Sequence, residues 1–472
     1  MRRAAIVVLG LSLVMSCSGC WDRIELEDVA WVQAIGFDKE PSGFVTATLE
    51  MSIPRTLGGA AAAGGIPSQP HHATISLLTR TGIEALDLAG LALGRRVSLV
   101  HCIMYVFSED LARSDLRSLL GAIIRNPQVR GSAFVAVCRG RAEDVLRLLI
   151  SPLEISPSRF IETIQQQHFN TGLFESVHLA DLAQAMESES EQPTCPLIAL
   201  ARDIKSSQSE QKGQSGMGMQ QSAGGSSEGG GEAEKAFPAT PDVGQRIKIE
   251  GLPSWLTSPE GGPTMLEAGE LPYIGGSPVT MMGSAVFLGG KLVGDLNGEE
   301  TRGMLMVKGD FENGMFSIPD PQFPDKIEYS VGVSLSGRNP KVHVRRQGDH
   351  VEIDVHISLE MTFISMKTQT DYTDPRNAPL VEKAAADYVK KHLDRAIMRT
   401  QKELGGSDVF GFGLYLRRTF WTWPEWQTFA WPATYSHAII RTSVETHLTR
   451  YGLELAPPSI PPSEKIKTKG TQ

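Results

Sequence analysis

The chain has 472 residues, a formal net charge of −9, and 41% hydrophobic against 21% charged residues. That length gives room for more than one domain, and that apolar share suffices for packed cores. The acidic balance excludes a nucleic-acid partner, which would call for a basic face, and it supplies no overall attraction to anionic lipid.

The first twenty residues have the layout of an export signal. Arg2 and Arg3 are positive, Ala4 to Met15 is an apolar run without a charge, and Ser16, Ser18 and Gly19 are small residues ahead of Cys20. A run of about twelve residues is too short to cross a bilayer core, which takes roughly 20. Residues 1–19 therefore read as a cleaved lipoprotein signal peptide. The cysteine behind Ser18-Gly19 resembles the bacterial lipobox, which implies a diacylglyceryl-cysteine at Cys20 as the first residue of the mature chain. One departure is Cys17, which stands where lipoboxes usually carry Leu or Val; Cys17 itself, after Val14-Met15-Ser16, is the weaker candidate. The bland alternative is an ordinary secreted protein with a spare cysteine. Each buried methylene contributes about 0.8 kcal/mol, so two or three acyl chains hold a protein that one chain binds only reversibly. Cys102, Cys138 and Cys195 remain. Cys102 and Cys138 lie in apolar runs and read as buried thiols, and one disulfide among the three stays open.

Along the body, residues 28–53 predict a β-hairpin: Val29–Phe37 is apolar, 38–43 is the turn, and Val45, Ala47, Leu49, Met51 and Ile53 alternate. Leu57–Gly65 is a small-residue loop. A strand at Thr74–Leu78, a helix over 82–93, a strand at His101–Phe107, a helix at Leu111–Ile124, a strand at Ser132–Cys138 and a helix at Arg141–Ile150 follow. Helical stretches at 158–168 and 177–187 complete an N-terminal α/β domain over 20–190. A middle domain over 191–310 contains an excursion at 206–231 built almost wholly of Ser, Gly, Gln and Glu, too poor in apolar surface to order. Beyond it, Val279–Leu288 and the residues from Lys291 form a hairpin about Gly289-Gly290. Asn297, with Glu300 three residues on, has the spacing of a capping box opening a helix to about Val307.

The C-terminal domain, 311–456, has the cleanest patterns. Ile327, Tyr329, Val331, Val333 and Leu335 alternate with polar or small residues. So do Val351, Ile353, Val355, Ile357, Leu359, Met361 and Phe363, with Lys341–Arg346 between the two sets. This is an antiparallel meander with one buried face. A long helix from Ala378 to Leu404 follows, with Asn377 as cap, Pro379 in the first turn and Gly405-Gly406 as the stop. A strand-like stretch at 435–446 rejoins the sheet, and 457–472 reads as a disordered tail. The fold class is α+β: three consecutive mixed α/β domains, each a sheet packed with helices.

No P-loop, HExxH, EF-hand loop, GxSxG elbow or GxGxxG occurs. The expectation is no catalytic residue, no metal and no cofactor. His71-His72 lacks further ligands at metal spacing. His101 and Cys102 are neighbours on a strand and point to opposite faces. His343, His350 and His356 read as a solvated strand face. The aromatic run Phe420, Trp421, Trp423, Trp426, Phe429 and Trp431 stands out, with four of the seven tryptophans in eleven residues. Packing against the long helix and sheet is the favoured reading; the sharper one is a partner surface or a membrane-interface contact at Trp421, Trp423, Trp426 and Trp431.

Several passages, in order, resemble the Ger(x)C spore germination lipoproteins. They are Gly19-Cys20-Trp21-Asp22; Thr81-Gly82 with Glu84-Ala85; His101; Arg130; Gly140-Arg141-Ala142; residues 283–287 (GSAVF); Leu292-Val293-Gly294; residues 296–303 (LNGEETRG); and Leu404-Gly405 before residues 408–413 (DVFGFG). The resemblance implies three α/β-type domains, no catalysis, and a role as the C subunit of a germinant receptor beside two integral-membrane subunits of A and B type. It also implies anchoring by lipid on the outer leaflet of the cell membrane, the inner membrane of the spore. The runner-up is a solute-binding lipoprotein of a transporter. That class would show two doubly wound lobes around a cleft, against which the antiparallel last unit counts. A lipid-anchored hydrolase would need a nucleophile signature that is missing.

Overall fold

A computed structural model describes residues 25–52, 72–149, 153–201 and 261–450, except the single positions 155, 274, 367, 369 and 373, together with Leu256 and Ser258. The signal 1–19, Cys20, the loop 57–65, His71, the excursion 206–231 and the tail 457–472 lie outside the described residues.

The first half comprises β1 (Val29–Lys39), β2 (Val45–Ser52), β3 (His72–Thr79), α1 (Ala85–Leu93), β4 (Arg96–Ser98), β5 (Met104–Ser108), α2 (Glu109–Ala112), α3 (Arg117–Ile124), β6 (Phe134–Arg139), α4 (Ala142–Arg147), α5 (Pro157–Thr171) and α6 (Leu179–Met186). Next come β7 (Thr194–Leu200), β8 (Val279–Leu288), β9 (Lys291–Leu296) and α7 (Gly298–Lys308). The remainder is β10 (Asn313–Ile318), β11 (Val331–Gly337), β12 (Lys341–Gln347), β13 (His350–Ser365), α8 (Ala378–Lys402), α9 (Phe412–Arg417), α10 (Trp423–Thr428), α11 (Trp431–Tyr435) and β14 (Ile439–Arg450). The architecture is a multi-domain α+β one with two mixed sheets.

Nine strands form the first sheet, in the order β3-β2-β1-β5-β6-β7-β8-β9, with β4 beside the start of β1. The hairpin strands at either end pair antiparallel, whereas β1, β5, β6 and β7 are parallel. Parallel neighbours need crossovers, which the intervening helices supply. Strands covered on both faces read as continuous apolar runs, and every residue of β5 and of β7 is buried. One core lies on each face: Tyr105, Phe107, Val135 and Val137 point to one side, and Met104, Val106, Ala136 and Cys138 to the other. On the second side α4 sits so close to β1 that a Cβ on Gly36 would overlap Ala142.

The strands of the segment 191–310 make no sheet of their own among the described residues. They hydrogen-bond onto β6 and extend the first sheet. The sequence pattern also misses β7 itself. Its Pro196 argues against a central strand, yet it is accommodated at a register shift between Pro196 and Ile198. The helix expected over Leu111–Ile124 is two, broken at residues 113–116.

In the second sheet β10, β11, β13 and β12 pair antiparallel. Strands β11 and β12 lie end to end along one edge of the 16-residue β13. The fifth strand departs from a pure meander: β14 spans 439–450 and runs parallel along the other edge of β13. The reason is its connection, because a chain that leaves β13 and crosses over through α8 returns in the same direction. Val381, Ala385, Tyr388, Leu393, Ala396 and Ile397 form the buried stripe of α8. Asn377 does not cap this helix; its Nδ2 donates to the Asp371 carbonyl at 2.8 Å.

Candidate functional site

The passages that are far apart in sequence converge at the junction of the two sheets. Helix α7 is buried along residues 298–307, an unusual setting for a sequence as polar as GEETRG. Its charged groups are paired across the junction, although Glu300 Oε1 has an ion-pair contact alone and accepts no hydrogen bond. Asn297 Oδ1 accepts from Glu300 N at 3.0 Å, and Glu300 Oε2 accepts from Asn297 N at 3.1 Å, closing the capping box. Glu300 also receives Arg399 of α8 at 2.5 Å and Arg395 at 3.3 Å. Arg302 pairs with the buried Glu299 at 2.9 Å, donates from Nε to the Thr171 carbonyl at 2.8 Å and lies 4.1 Å over the Phe316 ring. Gly303 packs tightly against Leu393, and a Cβ on Gly294 would overlap Leu404. On the same side of the junction Arg139 pairs with Glu267 and Asp295, and Arg399 reaches Asp295 at 3.8 Å. The junction is a seam tied by buried ion pairs and hydrogen bonds.

A second convergence is at Asp408. Its carboxylate accepts from Phe412 N at 3.1 Å, Gly413 N at 2.7 Å and Trp431 Nε1 at 2.9 Å, so one side chain seats both α9 and α11. Its carbonyl accepts from Gln192 N at 2.9 Å, tying the segment to the approach of β7. Gly411 is at φ 75°, the left-handed region that glycine enters without strain. A Cβ on Gly413 would overlap the Ser190 carbonyl and the Trp431 indole. The residues 408–413 are thus required by packing.

The tryptophan cluster divides. Trp426 and Trp431 are each 2% exposed and belong to the core around the second sheet, so they cannot form a partner surface. Trp421 is 95% exposed and Trp423 51%. Of the four expected positions, the structure leaves these two at the surface. Phe420 stands edge-on to Trp426 at 5.3 Å and to Phe429 at 5.0 Å, a base from which the exposed indoles project.

The other marked residues are structural. Cys102, Cys138 and Cys195 are buried and form no disulfide among the described residues, and burial pushes the Cys102 thiol up to about 12, where it is unreactive. His101 packs against Trp31 with ring centroids 5.0 Å apart. His343 and His350 are exposed on strands, and His356 Nδ1 lies 3.0 Å from Ser443 Oγ. Among the described residues no group of three or more His, Cys, Asp and Glu could hold a metal. Two surface depressions are open grooves: one is lined by Gly309, Phe311, Gly337 and Arg338, the other by Val351, Phe429 and His437.

Glu50 on β2 was not singled out by sequence. It is buried, 3.6 Å from His72 Nδ1, and desolvation raises its carboxyl from 4.5 to about 8. Below pH 4.5 the acid is neutral whether the chain is folded or not. Above that the unfolded chain ionises and the folded one resists, so stability falls as pH rises through about 8. Glu50→Gln is expected to flatten the dependence of the urea midpoint on pH across this window. An unchanged slope would remove Glu50 as its source.

Taken together, the fold defines a two-sheet α+β protein built around a polar buried helix, and no described helix is long and apolar enough to cross a membrane. Residues 22–200 match the family described as spore germination protein N-terminal domain, and residues 282–452 match spore germination B3/GerAC like, C-terminal. The chain belongs to the GerAC-like family of spore germination proteins. It is similar to spore germination protein KC of Bacillus subtilis (strain 168), 23% identical over 465 residues that cover 97% of this chain and 98% of that one. Spore germination protein YndF of the same organism is 21% identical over 476 residues, 96% of this chain and 97% of its own. A crystal structure of the GerBC protein aligns with a TM-score of 0.45 at 11% identity, over 88% of this chain and 96% of that chain.

Proposed function

We propose that this protein is a lipid-anchored, non-enzymatic subunit of a membrane germinant receptor, acting beside two integral-membrane subunits in nutrient-triggered germination. The observation that carries the reading is the pair of family matches, one in each half of the chain, together with relatives named for spore germination that align along nearly its whole length. The sequence around Cys20 supports the anchor, and an anchor there would hold the body at the outer leaflet of the cell membrane, the inner membrane of the spore. The buried ion pairs that tie α7 into the seam suit a body that presents fixed surfaces to other subunits. Cys20→Ser is expected to abolish retention in the membrane fraction and to impair germination in response to nutrients. Retention and germination at wild-type levels would overturn the anchor. Crosslinking in spore membranes should capture the two membrane subunits, whereas capture of a permease would favour a solute-binding lipoprotein.

A further inference from the structure

Trp421 and Trp423 are held outward by a defined backbone. Glu425 Oε2 accepts from Trp421 N at 3.3 Å, and Thr422 Oγ1 accepts from Glu425 N at 3.4 Å, which caps α10 and fixes the turn that carries both indoles. Three exposed guanidinium groups stand on this segment or against its rings. Arg346 lies 4.1 Å over Phe420, Arg417 5.7 Å over Trp423 and Arg418 5.6 Å over Tyr415. Other exposed arginines of this unit, Arg338, Arg345, Arg376 and Arg441, have carboxylate partners. Arg346, Arg417 and Arg418 have no ion pair among the described residues. Two carboxylates are near the patch: Glu425 is engaged in the turn, and Asp349 lines the neighbouring groove with Phe429 and His437, leaving three arginines against two acids. A chain of net charge −9 therefore carries a local cationic corner tipped with two apolar rings.

We infer that this corner docks on anionic phospholipid, with the Trp421 and Trp423 indoles at headgroup level and Arg346, Arg417 and Arg418 facing the phosphates. Tryptophan favours that depth because its ring is apolar and its N–H is polar, and arginines near the surface add electrostatic attraction to anionic lipid. A ring that is 95% exposed protrudes, which suits a deformable medium better than a preformed protein socket. Topology places the corner suitably. The Asp408 carbonyl accepts from Gln192 N and Gly413 packs against the Ser190 carbonyl, both on the approach to β7, and β7 is parallel to β6, β5 and β1. This is the end of the sheet at which β1 begins, three strand spacings or about 14 Å to the side, with Val29 a few residues further out along its strand. Cys20 precedes Val29 by nine residues, at most about 30 Å of extended chain. The orientation thus rests on the lipid-anchored reading above, but the binding chemistry does not.

The test uses the full chain carrying Cys20→Ser, hence without acyl chains, and vesicles of phosphatidylcholine alone or mixed with phosphatidylglycerol. Expected are sedimentation with the mixed vesicles only, a blue shift of tryptophan emission, and weakening by salt. Trp421→Ala with Trp423→Ala should lower partitioning on the order of tenfold. Arg417→Gln and Arg418→Gln should each lower it roughly fivefold. The melting temperature should stay put, since none of these side chains is in the core. Absence of binding, equal binding to neutral vesicles, or a double tryptophan variant that binds like its parent would overturn the inference, as would capture of the corner by a protein partner without vesicle binding. None of these outcomes touches the Cys20 anchor, which is read from retention of the acylated protein.

Discussion

Arg302→Ala is expected to destabilise the protein by about 3–5 kcal/mol, the range for removing one partner of a buried ion pair. Arg302 and Glu299 are both buried, and the arginine answers Glu299, the Thr171 carbonyl and the face of Phe316 at once. Alanine would leave the buried Glu299 carboxyl without its partner and the Thr171 carbonyl without its donor. Adding Glu299→Gln should recover a substantial part of the loss, because an amide needs far less solvation than a carboxylate. Helix α7 shares one core with β8, β9 and the second sheet, so the loss should appear in both units together. Urea unfolding followed by far-ultraviolet circular dichroism and by tryptophan fluorescence would check this. A single variant within about 1 kcal/mol of wild type, or a double variant no better than the single, would show that the pair is not what holds the seam.

The capping box that opens α7 was legible because its two residues are three apart in sequence. What else Glu300 does was not: Arg395 and Arg399 come from a helix roughly a hundred residues on, and no local pattern marks them. The same contrast runs through the sheets. In the second sheet β13 alternates between buried and less buried residues along its length, as a half-buried strand should. In the first sheet β7 is buried throughout and carries a proline, so neither period nor propensity identifies it. Periodicity also failed at the tryptophans. Helices α9, α10 and α11 have six, six and five residues, and Ala430 between the last two is at φ 49°. A stripe cannot be followed through such short pieces, so only the three-dimensional turn separates Trp421 and Trp423 from Trp426 and Trp431. The passages that mark the family turn out to be packing requirements: Gly294 under Leu404, Gly413 under Trp431, Asp408 across two helices.

Asp408→Ala should cost about 3 kcal/mol, because it leaves the Phe412 and Gly413 amides and the Trp431 indole N–H buried without an acceptor. The pH dependence of that cost follows from competing terms. Burial raises the carboxyl from 3.8 to about 6, and the three donors pull the other way without winning. A group raised in the folded state contributes stability that is complete below its unfolded value and is lost as pH rises through its folded one. The gap between wild type and Asp408→Ala should therefore widen as pH is lowered from about 6 to about 4. Asp408→Asn, which cannot ionise, should show no such slope. A gap that narrows on acidification would mean that the hydrogen bonds to the ionised form outweigh desolvation. The consequence reaches the surface, because α9 and α11 flank the turn that carries Trp421 and Trp423. Loosening their common anchor should raise amide hydrogen exchange across residues 408–435 before the sheets are affected. It should also weaken vesicle binding although neither indole has been changed, which a purely additive patch of exposed residues would not do.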